Sequence, residues 1–515
     1  MNGAECLLRT LLAHGVDTCF MNPGTSEMQF VAALDRVPGM RGVLCLFEGV
    51  CSGAADGYAR MLRRPAATLL HLGPGLGNAL TNFHNARKAR SPVVSIVGQH
   101  TTGHLLCDAP LSADIEAFAR PVSSYIRSLE RAEDMGEEAA AAIRAACVPP
   151  GQIATLIVPA DFSWSEAGQP GPARPLEPAP APAAGGVLEA ARVLRGPEPA
   201  GLLLGGGALL EPGIAAAGRL AAGLGVPVFA NRFAARMACG GGRFAPQRLP
   251  YFPEPAEAML AGLKHIVLVE SLPPVSFFGY PGRRSYLAPV DCAFHVLAPI
   301  EANGAQALAA LVEECGVESA RPPAPDMSRP ALPHGAALTP DTMGLALASL
   351  LPEGSILSDE MVSSGETVLQ HLASAARYDL LPITGGAIGQ GLPLALGAAL
   401  ACPRRKVIAL EADGSGMYTL QSLWTMARER LDVVTVILAN RRYRILDIEM
   451  QRTGAGAMGP MANDMVDIGR PDLDWVKLSQ GLGVPATRAT TADEFIAQFR
   501  AAVSQSGPAL IEAVV

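Results

Sequence analysis

The segment EADGSGMY (411–418) decides the fold, because its aspartate, Asp413, directly follows the apolar run KVIALEA (406–412). A second apolar run, VVTVILA (433–439), ends in the same way at a polar residue, Asn440. In a parallel sheet covered by helices, ligands bind beyond the carboxyl ends of the strands, so the two side chains are expected to face one crevice. A carboxylate and an amide oxygen suit Mg²⁺, which combines a few protein oxygens with phosphates and water.

The residues after Asp413 predict an anion site beside that cation. Gly414 and Ser415 are expected to open a helix over 419–430, whose N-terminal amides and dipole favour a negative charge. An Asp-Gly pair after a strand is more often an ordinary turn with a helix cap. Here the turn, the helix and the second strand ending in asparagine form a joint pattern, which predicts a site for a magnesium diphosphate.

The same alternation of strand and helix extends along the chain. Short β-branched or leucine-rich runs are separated by alanine-rich stretches, a pattern typical of βαβ units and of a parallel sheet buried on both faces. Two stretches rich in Pro and Ala, 166–185 and 317–339, are typical of linkers. We therefore predict an α/β protein with three doubly wound parallel-sheet domains, at residues 1–165, 186–316 and 340–515.

Size and composition agree with three folded domains and argue against several classes of protein. The chain has 515 residues, 49% of them hydrophobic and 17% charged, and a net charge of −8. No basic stripe interleaved with aromatic residues points to nucleic acid, and no uninterrupted apolar run reaches membrane-spanning length. The N-terminal stretch lacks a signal-peptide pattern and the ten cysteines lack paired spacing, so reduced thiols in the cytoplasm are expected.

With these residues in view, the stretch 411–446 resembles the thiamine-diphosphate fingerprint of the pyruvate-decarboxylase and acetolactate-synthase superfamily. That fingerprint is a G-D-G turn separated from an asparagine by a strand, helix and strand span, and here Glu411 and Ala412 replace its first glycine. The resemblance implies thiamine diphosphate and Mg²⁺ as cofactors. It further implies that the metal is held by Asp413, Asn440 and the backbone carbonyl of Arg442, and that other contacts to the cofactor come from Gly414, Ser415, Tyr418 and Ser363.

Two more segments match this family. In VLCLFEGVCSGAADGYAR (43–60), Glu48 follows an apolar run and precedes a D-G-Y-A-R element. A lone glutamate that opens a helix is usually only a partner for the helix dipole, but the resemblance implies that Glu48 shares a proton with N1′ of the aminopyrimidine ring. In PITGGAIGQGLPLALGAAL (382–400), it implies that the carbonyl of Gly386 meets the 4′-amino group and that Ile388 props the thiazolium ring.

Two segments of the first domain indicate a branch of the family. FMNPGTSEMQFVAALD (20–35) is similar to the N-P-G-S-N-E segment of benzoylformate decarboxylase, with Thr25 at the position of the serine that lies over the substrate carboxylate. LLHLGPGLGNAL (69–80) places His71 at the position of a proton-transferring histidine. A lone histidine in an apolar strand is usually structural, but a position at the strand tip before a glycine-rich loop favours the catalytic role.

Departures from that enzyme bear on the substrate. Residues 271–289 contain no histidine where benzoylformate decarboxylase has a second one, and Arg444 and Glu449 replace a glycine and a phenylalanine. A polar or anionic 2-oxo acid is therefore favoured over an aromatic one, with the alternative that Arg444 is a solvated surface residue. The segment GPG (73–75) resembles the S-G-P-G of acetolactate synthases, which leaves ligation open as well as decarboxylation.

The expected reaction is the thiamine-diphosphate- and Mg²⁺-dependent decarboxylation of a 2-oxo acid through a C2-thiazolium enamine. The alternatives are an acetolactate synthase-like carboligase and a catalytically silent homologue. A nucleotide-binding protein is indicated only by GGG (205–207), which lacks the spaced G-x-G-x-x-G, and FAD is not expected. The family builds its sites between subunits, so a homodimer or homotetramer is expected, with neither nucleic acid nor a membrane as a partner.

Overall fold

The computed structural model describes residues 1–322 and 327–515, and its strands form three mostly parallel sheets flanked by helices. This arrangement confirms the predicted α/β fold class. The boundaries predicted for the three domains remain a prediction, and one strand crosses them. Residues 237–239, inside the predicted middle domain, pair antiparallel with the edge of the third sheet.

The first sheet is built from the N-terminal part of the chain. Its strands are β1 (Thr18–Met21), β2 (Arg41–Leu44), β3 (Ala66–Leu70), β4 (Val93–Gln99), β5 (Tyr125–Ser128) and β6 (Ile153–Pro159). They are parallel and lie in the order β2-β1-β3-β4-β6-β5. The flanking helices are α1 (Gly3–Ala13), α2 (Met28–Leu34), α3 (Glu48–Leu62), α4 (Leu72–Ala89), α5 (Ile115–Ala119), α6 (Met135–Cys147) and α7 (Ala160–Trp164).

The second sheet follows the first linker. Its segment contains the strands β7 (Ala200–Leu204), β8 (Val228–Ala230), β9 (Met237–Cys239), β10 (Gln247–Arg248), β11 (His265–Val269) and β12 (Ala293–Ala298). All but β9 form a parallel sheet in the order β10-β8-β7-β11-β12. The helices of this segment are α8 (Ala184–Leu194), α9 (Glu211–Leu224), α10 (Pro253–Leu260) and α11 (Gly304–Cys315).

The third sheet contains the two strands that precede Asp413 and Asn440. Its strands are β13 (Ser355–Glu360), β14 (Tyr378–Pro382), β15 (Val407–Ala412), β16 (Val433–Ala439), β17 (Ala486–Ala489) and β18 (Ala509–Val514), in the order β17-β18-β16-β15-β13-β14-β9. The helices are α12 (Pro340–Leu350), α13 (Gly365–Leu369), α14 (Gly391–Ala401), α15 (Asp413–Gly416), α16 (Ser422–Arg428), α17 (Arg444–Arg452), α18 (Pro460–Asp464), α19 (Trp475–Gly481) and α20 (Ala492–Ser504).

One expected helix differs in the structure. The sequence pattern predicts a helix over 419–430 opened by Gly414 and Ser415, whereas the chain forms the single turn α15 and then the separate helix α16. The residues between them close 3₁₀-type turns, with Thr419 N–H bonded to the Gly416 carbonyl and Ser422 N–H to the Thr419 carbonyl. The backbone amides expected to face an anion therefore belong to the single turn α15, which begins at Asp413.

The first and third sheets are joined by helices α3 and α14, which approach each other at backbone distance. A Cβ atom built at Gly57 would lie 2.1 Å from the carbonyl oxygen of Leu394, and one built at Gly397 would lie 1.9 Å from that of Ala54. Only glycine leaves room for such a contact. Because α3 begins at Glu48 and α14 follows the loop of Gly386 and Ile388, this contact fixes two predicted parts of the site relative to each other.

No helix in the described part of the chain is long and apolar enough to cross a membrane.

Candidate active site

Glu48 begins α3 after the three residues 45–47 that follow β2, and the side chain is almost completely buried, with 7% of the residue exposed. The Asn78 amide donates a hydrogen bond of 3.0 Å to Oε2 of Glu48. Asn78 lies in the second turn of α4, so its amide holds the glutamate at the start of α3 against α4. A carboxyl group in this position can share a proton with a nitrogen base placed against it.

His71 lies beside Glu48. It directly follows β3 and precedes α4, and a Cβ atom built at Gly75 would lie 3.3 Å from Oε1 of Glu48 and 3.5 Å from the His71 Cβ. The structure therefore brings these two predicted residues together around Gly75. Thr25 begins a short 3₁₀ turn next to Gly24, where a Cβ atom would lie 2.2 Å from Nδ1 of His71. The exposed Thr25 is thus adjacent to the imidazole.

Glu27 is a member of this group that the sequence analysis did not identify. Its Oε2 lies 2.9 Å from Nδ1 of His71 and accepts the Gly24 N–H at 2.7 Å. The residue is 3% exposed, and burial raises the pKa of its carboxyl, whereas the neighbouring His71 and the Gly24 amide act in the opposite direction. The signal available in the sequence was the capping spacing from Gly24 to Glu27.

Asp413 and Asn440 also lie together, at the ends of the adjacent parallel strands β15 and β16. The Asp413 carboxylate accepts the N–H groups of Gly414 at 2.9 Å and of Arg441 at 2.6 Å, and the Asn440 Oδ1 accepts the N–H of Arg442 at 2.9 Å. Asp413 is 2% exposed, and burial raises the pKa of its carboxyl. Within the described residues it forms no ion pair with a cationic side chain, so its oxygens suit a metal cation.

The remaining residues predicted to contact the cofactor surround this pair. The Arg442 carbonyl accepts the Arg444 N–H at 2.9 Å and keeps a second lone pair, while the Arg442 side chain is paired with Asp447. Gly414 packs against the Tyr443 ring, which would lie 2.5 Å from a Cβ atom built at this glycine. Ser415 is buried, Ser363 is partly buried in a 3₁₀ turn after β13, and Tyr418 is 52% exposed. These positions are compatible with the predicted roles, which remain predictions.

The loop before α14 carries Gly386 and Ile388. Gly386 has a φ of +75° and Gly389 a φ of +93°, left-handed conformations that favour glycine and that delay the start of the helix to Gly391. Ile388 is partly buried. A Cβ atom at Gly386 would lie 2.3 Å from the Phe277 ring. The segment 271–289, which lacks the expected histidine, therefore presents an aromatic ring to the loop.

Hydrogen bonds connect this loop to the first domain. The Asn82 amide donates to the carbonyls of Gly49 at 2.8 Å and Gly389 at 3.1 Å, and the Asn85 amide donates to that of Ala387 at 2.8 Å. By contrast, no hydrogen bond or ion pair of the described residues joins Glu48 or His71 to Asp413 or Asn440. The candidate site residues of one chain thus fall into two groups, called half-sites below. The first is Glu48, His71, Thr25 and Glu27, and the second is Asp413, Asn440 and their neighbours.

Glu411, the departure from the G-D-G turn, points into the protein beneath the same loop. It is 0% exposed and lies next to Glu360 in the strand register. Glu360 accepts the Gly389 N–H at 2.6 Å and also the Gly391 N–H. Burial raises the pKa of both carboxyls, and the proximity of the partner raises that of Glu411 further. The pair therefore favours a shared proton over two charges.

Glu449 and Arg444, the two substitutions that favoured a polar substrate, differ in their environment. The Glu449 Oε1 accepts a hydrogen bond of 3.0 Å from the Tyr280 hydroxyl, and the Arg452 guanidinium stacks 4.9 Å from the Tyr280 ring centroid. Glu449 thus helps dock α17 on the middle segment. Arg444 is exposed. Neither observation adds weight to an anionic substrate.

The middle sheet has its own crevice between the neighbouring strands β7 and β11, where the strand order reverses direction. Doubly wound folds bind nucleotide phosphates at such a point, but here the Glu270 side chain fills it. Its carboxylate accepts the Gly207 N–H and the Gly304 N–H, both at 2.5 Å, beside a cavity of about 360 Å³ that Arg63 and Arg90 help to line. The residues present therefore do not fit a flavin diphosphate, whose phosphates would need the same two amides.

Comparison with protein families adds to this geometry. Residues 1–117 match the family described as thiamine pyrophosphate enzyme, N-terminal TPP binding domain. Residues 363–513 match the family described as thiamine pyrophosphate enzyme, C-terminal TPP binding domain. The two matched regions contain the two half-sites, one in each.

Individual proteins are similar over nearly the whole length. The chain is 52% identical to a Mycobacterium tuberculosis H37Rv protein whose name, acetolactate synthase large subunit IlvX, is provisional, over 100% of this chain and 99% of that one. It is 29% identical to benzoylformate decarboxylase of Pseudomonas aeruginosa, over 98% and 96%. The solved thiamine diphosphate-dependent 4-hydroxybenzoylformate decarboxylase of Rhodococcus jostii RHA1 superposes with a TM-score of 0.87 at 26% identity, covering 100% and 99%.

Proposed function

Since the chain belongs to the thiamine-diphosphate-dependent enzymes of the decarboxylase and acetolactate synthase family, we propose that it decarboxylates a 2-oxo acid with thiamine diphosphate and Mg²⁺. The observation that carries this proposal is that Glu48 and His71 both lie beside Gly75. A buried acid and a more accessible imidazole at one strand edge are two groups able to hold and move protons.

The residues of the second half-site suit the cofactor. Asp413, the Asn440 amide oxygen and the Arg442 carbonyl would hold Mg²⁺, and the amides of the turn at Gly414 and Ser415 would face the diphosphate. When bound, thiamine diphosphate supplies the nucleophilic carbon and the electron sink that decarboxylation requires. Gly386 would accept a hydrogen bond from the aminopyrimidine, and Ile388 would support the bent form of the cofactor.

The chain's own groups take the proton-transfer and orienting roles. Glu48 would hold a proton at N1′ of the ring, His71 would give or take a proton at the substrate oxygen or carbon, and Thr25 would orient the substrate carboxylate with its hydroxyl. Two glutamates and one imidazole are thereby concentrated at the first half-site, which is consistent with a reaction that consumes a proton when an aldehyde leaves.

Ligation of the decarboxylated intermediate to a second carbonyl is the second candidate function, and the residues 271–289 favour it. The expected second histidine is absent from 271–289, and the Phe277 ring contacts Gly386 instead. With fewer proton donors near the reacting carbon, addition to a second carbonyl competes better with protonation. The relative at 52% identity carries a name of this type. A catalytically silent homologue is less favoured, since Glu48 and Asp413 both retain buried, hydrogen-bonded positions.

The partners of the reaction follow from the same half-sites. We propose a homodimer or homotetramer in which the first half-site of one subunit meets the second half-site of another, since no hydrogen bond links the two within the described residues of one chain. The ten cysteines are free in the structure, which supports a reducing compartment such as the cytoplasm.

The test is product analysis by mass spectrometry. Purified protein with thiamine diphosphate and Mg²⁺ is incubated with a panel of 2-oxo acids that includes pyruvate and benzoylformate, and parallel samples omit the cofactor. An aldehyde from one acid supports decarboxylation, and a 2-hydroxy ketone or acetolactate supports ligation. If no acid yields a cofactor-dependent product, both forms of the proposal fail.

A further inference from the structure

We propose that Glu27 is the positioning residue of His71, holding the imidazole with its proton on Nδ1 so that Nε2 is the nitrogen that exchanges protons with the substrate. This inference rests on the proposed function for its catalytic consequence. Its structural part, the tautomer of His71, is independent of the reaction.

The hydrogen bonds of one oxygen determine the tautomer. Oε2 of Glu27 accepts the Gly24 N–H at 2.7 Å and lies 2.9 Å from Nδ1 of His71. A carboxylate oxygen has two lone pairs, and the backbone amide occupies one of them. The second is left for an N–H donor, so the Nδ1 of His71 carries the proton. In a neutral imidazole the other nitrogen, Nε2, is then the acceptor.

The surroundings hold both side chains in place. A Cβ atom at Gly24 would lie 2.2 Å from Nδ1 of His71, and a Cβ atom at Gly98 would lie 1.7 Å from Oε1 of Glu27. Glycine at both positions leaves just enough room for the pair. The imidazole is therefore confined between the loop of residues 22–24 and the start of α4, and the carboxylate is confined against the end of β4.

Burial separates the roles of the two residues. The Glu27 side chain is 2% exposed, whereas that of His71 is 22% exposed. A buried carboxylate behind a partly accessible imidazole is the arrangement in which the acid orients the ring and the ring meets the substrate.

The unpaired oxygen of Glu27 argues against a purely structural role. Its Oε1 is buried without a hydrogen-bond partner in the described residues. Such an oxygen costs stability, and an apolar side chain of similar size would avoid that cost. The presence of a carboxyl group at this position is explained if its charge acts on the imidazole.

Other titratable groups surround the pair. Glu48 lies beside Gly75, as the His71 Cβ does. His100, which follows β4, has a lowered pKa because of burial and the neighbouring imidazoles of His104 and His71. Glu27 differs from these groups in that it alone bonds to the His71 ring in the described structure. A variant of Glu27 therefore acts directly on the His71 ring. Glu27→Leu also removes the acceptor of the Gly24 N–H, whereas Glu27→Gln keeps an acceptor for it.

Nitrogen NMR of the imidazoles tests the structural part. The full-length protein is labelled with ¹⁵N-histidine, and the His71 signals among the nine histidines are assigned by their loss in His71→Ala. Protonated Nδ1 is expected in the wild type and in Glu27→Gln, whose oxygen keeps the acceptor, and a shift toward protonated Nε2 is expected in Glu27→Leu. A wild type protonated on Nε2, or a Glu27→Leu spectrum unchanged at His71, overturns the proposal.

A double-mutant cycle tests the catalytic part on the 2-oxo acid that the protein turns over. Glu27→Leu should lower kcat roughly 100-fold, with KM and thiamine diphosphate affinity nearly unchanged and with partial recovery in Glu27→Gln. Combined with His71→Ala, it should cause no further loss, because both changes disable the same proton transfer. Multiplicative losses in the double variant overturn the positioning role.

A matched control uses a second His–Glu pair far from the half-site. His265 Nε2 lies 3.0 Å from Oε2 of Glu198 in the middle segment. Glu198→Leu should leave kcat unchanged. If the wild type turns over no 2-oxo acid, the proposed function fails, and the NMR experiment still decides the role of Glu27.

Discussion

At the scale of single residues, three side chains of the two half-sites stand at the first positions after strands. Asp413 follows β15, Asn440 follows β16 and His71 follows β3. The carboxyl end of a parallel strand leaves the next residue outside the ladder of hydrogen bonds, so its polar groups are available to a ligand. The chemistry proposed for this protein depends on those few positions.

Replacing Glu48 by glutamine should abolish most turnover while leaving the cofactor bound. The amide cannot share a proton with the aminopyrimidine ring, so kcat should fall by about two to four orders of magnitude. Steady-state kinetics and calorimetric titration with thiamine diphosphate and Mg²⁺ measure the two effects. Full activity in this variant would refute the role of Glu48.

Replacing Asp413 by alanine should weaken metal binding. The buried carboxylate is the charged oxygen ligand of the predicted site, and its loss should lower the apparent Mg²⁺ affinity by at least about 10- to 100-fold. Titration of activity with Mg²⁺ at saturating thiamine diphosphate measures the change. Asp291→Ala, an exposed residue paired with Lys264, is the control and should behave as the wild type.

These residues could be predicted because their signals are local. Asp413, Asn440, Glu48 and His71 each follow an apolar run in a short motif. Glu27 has only the capping spacing from Gly24 as a local signal and Phe277 has none, because their contacts with His71 and Gly386 come from segments distant in sequence. The sequence favoured a polar substrate from Glu449 because it could not show the hydrogen bond to Tyr280, which is 169 positions away.

At the scale of elements, the middle sheet shows how one side chain can occupy a binding crevice. Glu270 follows β11 with a φ of +49° and bonds to the amides of Gly207 and of Gly304 at the start of α11. Burial raises the pKa of its carboxyl, and the Arg63 and Arg90 guanidinium groups act in the opposite direction. The crevice keeps the backbone amides that a nucleotide phosphate would need, and the Glu270 carboxylate takes the place of that phosphate.

Glu270→Ala should destabilise the protein and make it responsive to phosphate. Two buried amides lose their acceptor, which should lower the free energy of unfolding by about 2 to 4 kcal/mol. Inorganic phosphate should restore part of the thermal stability of the variant and change that of the wild type less. Glu301→Ala, at the same cavity, is the control. An equal response of wild type and variant would mean that Glu270 does not keep phosphate from these amides.

The helix expected over 419–430 forms at this scale over Ser422–Arg428, but Gly414 and Ser415 do not open it. Its apolar spacing is helical, but Gly414 and Gly416 lie in a turn packed against the Tyr443 and Trp475 rings. Tertiary packing decided where the chain stopped being helical. The strand and helix alternation, by contrast, repeats over the whole chain, and the fold class was predicted from it.

At the scale of the whole molecule, buried carboxyl groups make stability depend on pH. Glu360 and Glu411 both have raised pKa values in the folded state, with Glu360 at about 7 and the ordinary value at 4.5. A folded pKa above the unfolded value means that the folded state binds more protons. This contribution to stability is complete below about pH 4.5 and is lost as the pH rises through about 7.

Glu411→Gln should flatten this dependence. The amide can donate a permanent hydrogen bond to Glu360, so the pair no longer needs a shared proton. Thermal unfolding of the cofactor-free protein between pH 5 and 8 should show a smaller decrease in the variant than in the wild type. Glu429→Gln, whose partner is the exposed Arg41, is the control. Parallel curves for Glu411→Gln and the wild type would contradict the shared proton.

The contact of α3 with α14 has a consequence for how this protein can diversify. Gly57 and Gly397 face carbonyl oxygens of the opposite helix, and a backbone atom, unlike a side chain, has no smaller replacement. A mutation in one helix therefore has no compensating mutation in the other. Phe277, whose ring faces Gly386, and the exposed Thr25 carry no such restriction. Libraries that vary the second group should yield new substrate ranges on an unchanged scaffold, while variation at the two glycines should yield inactive clones.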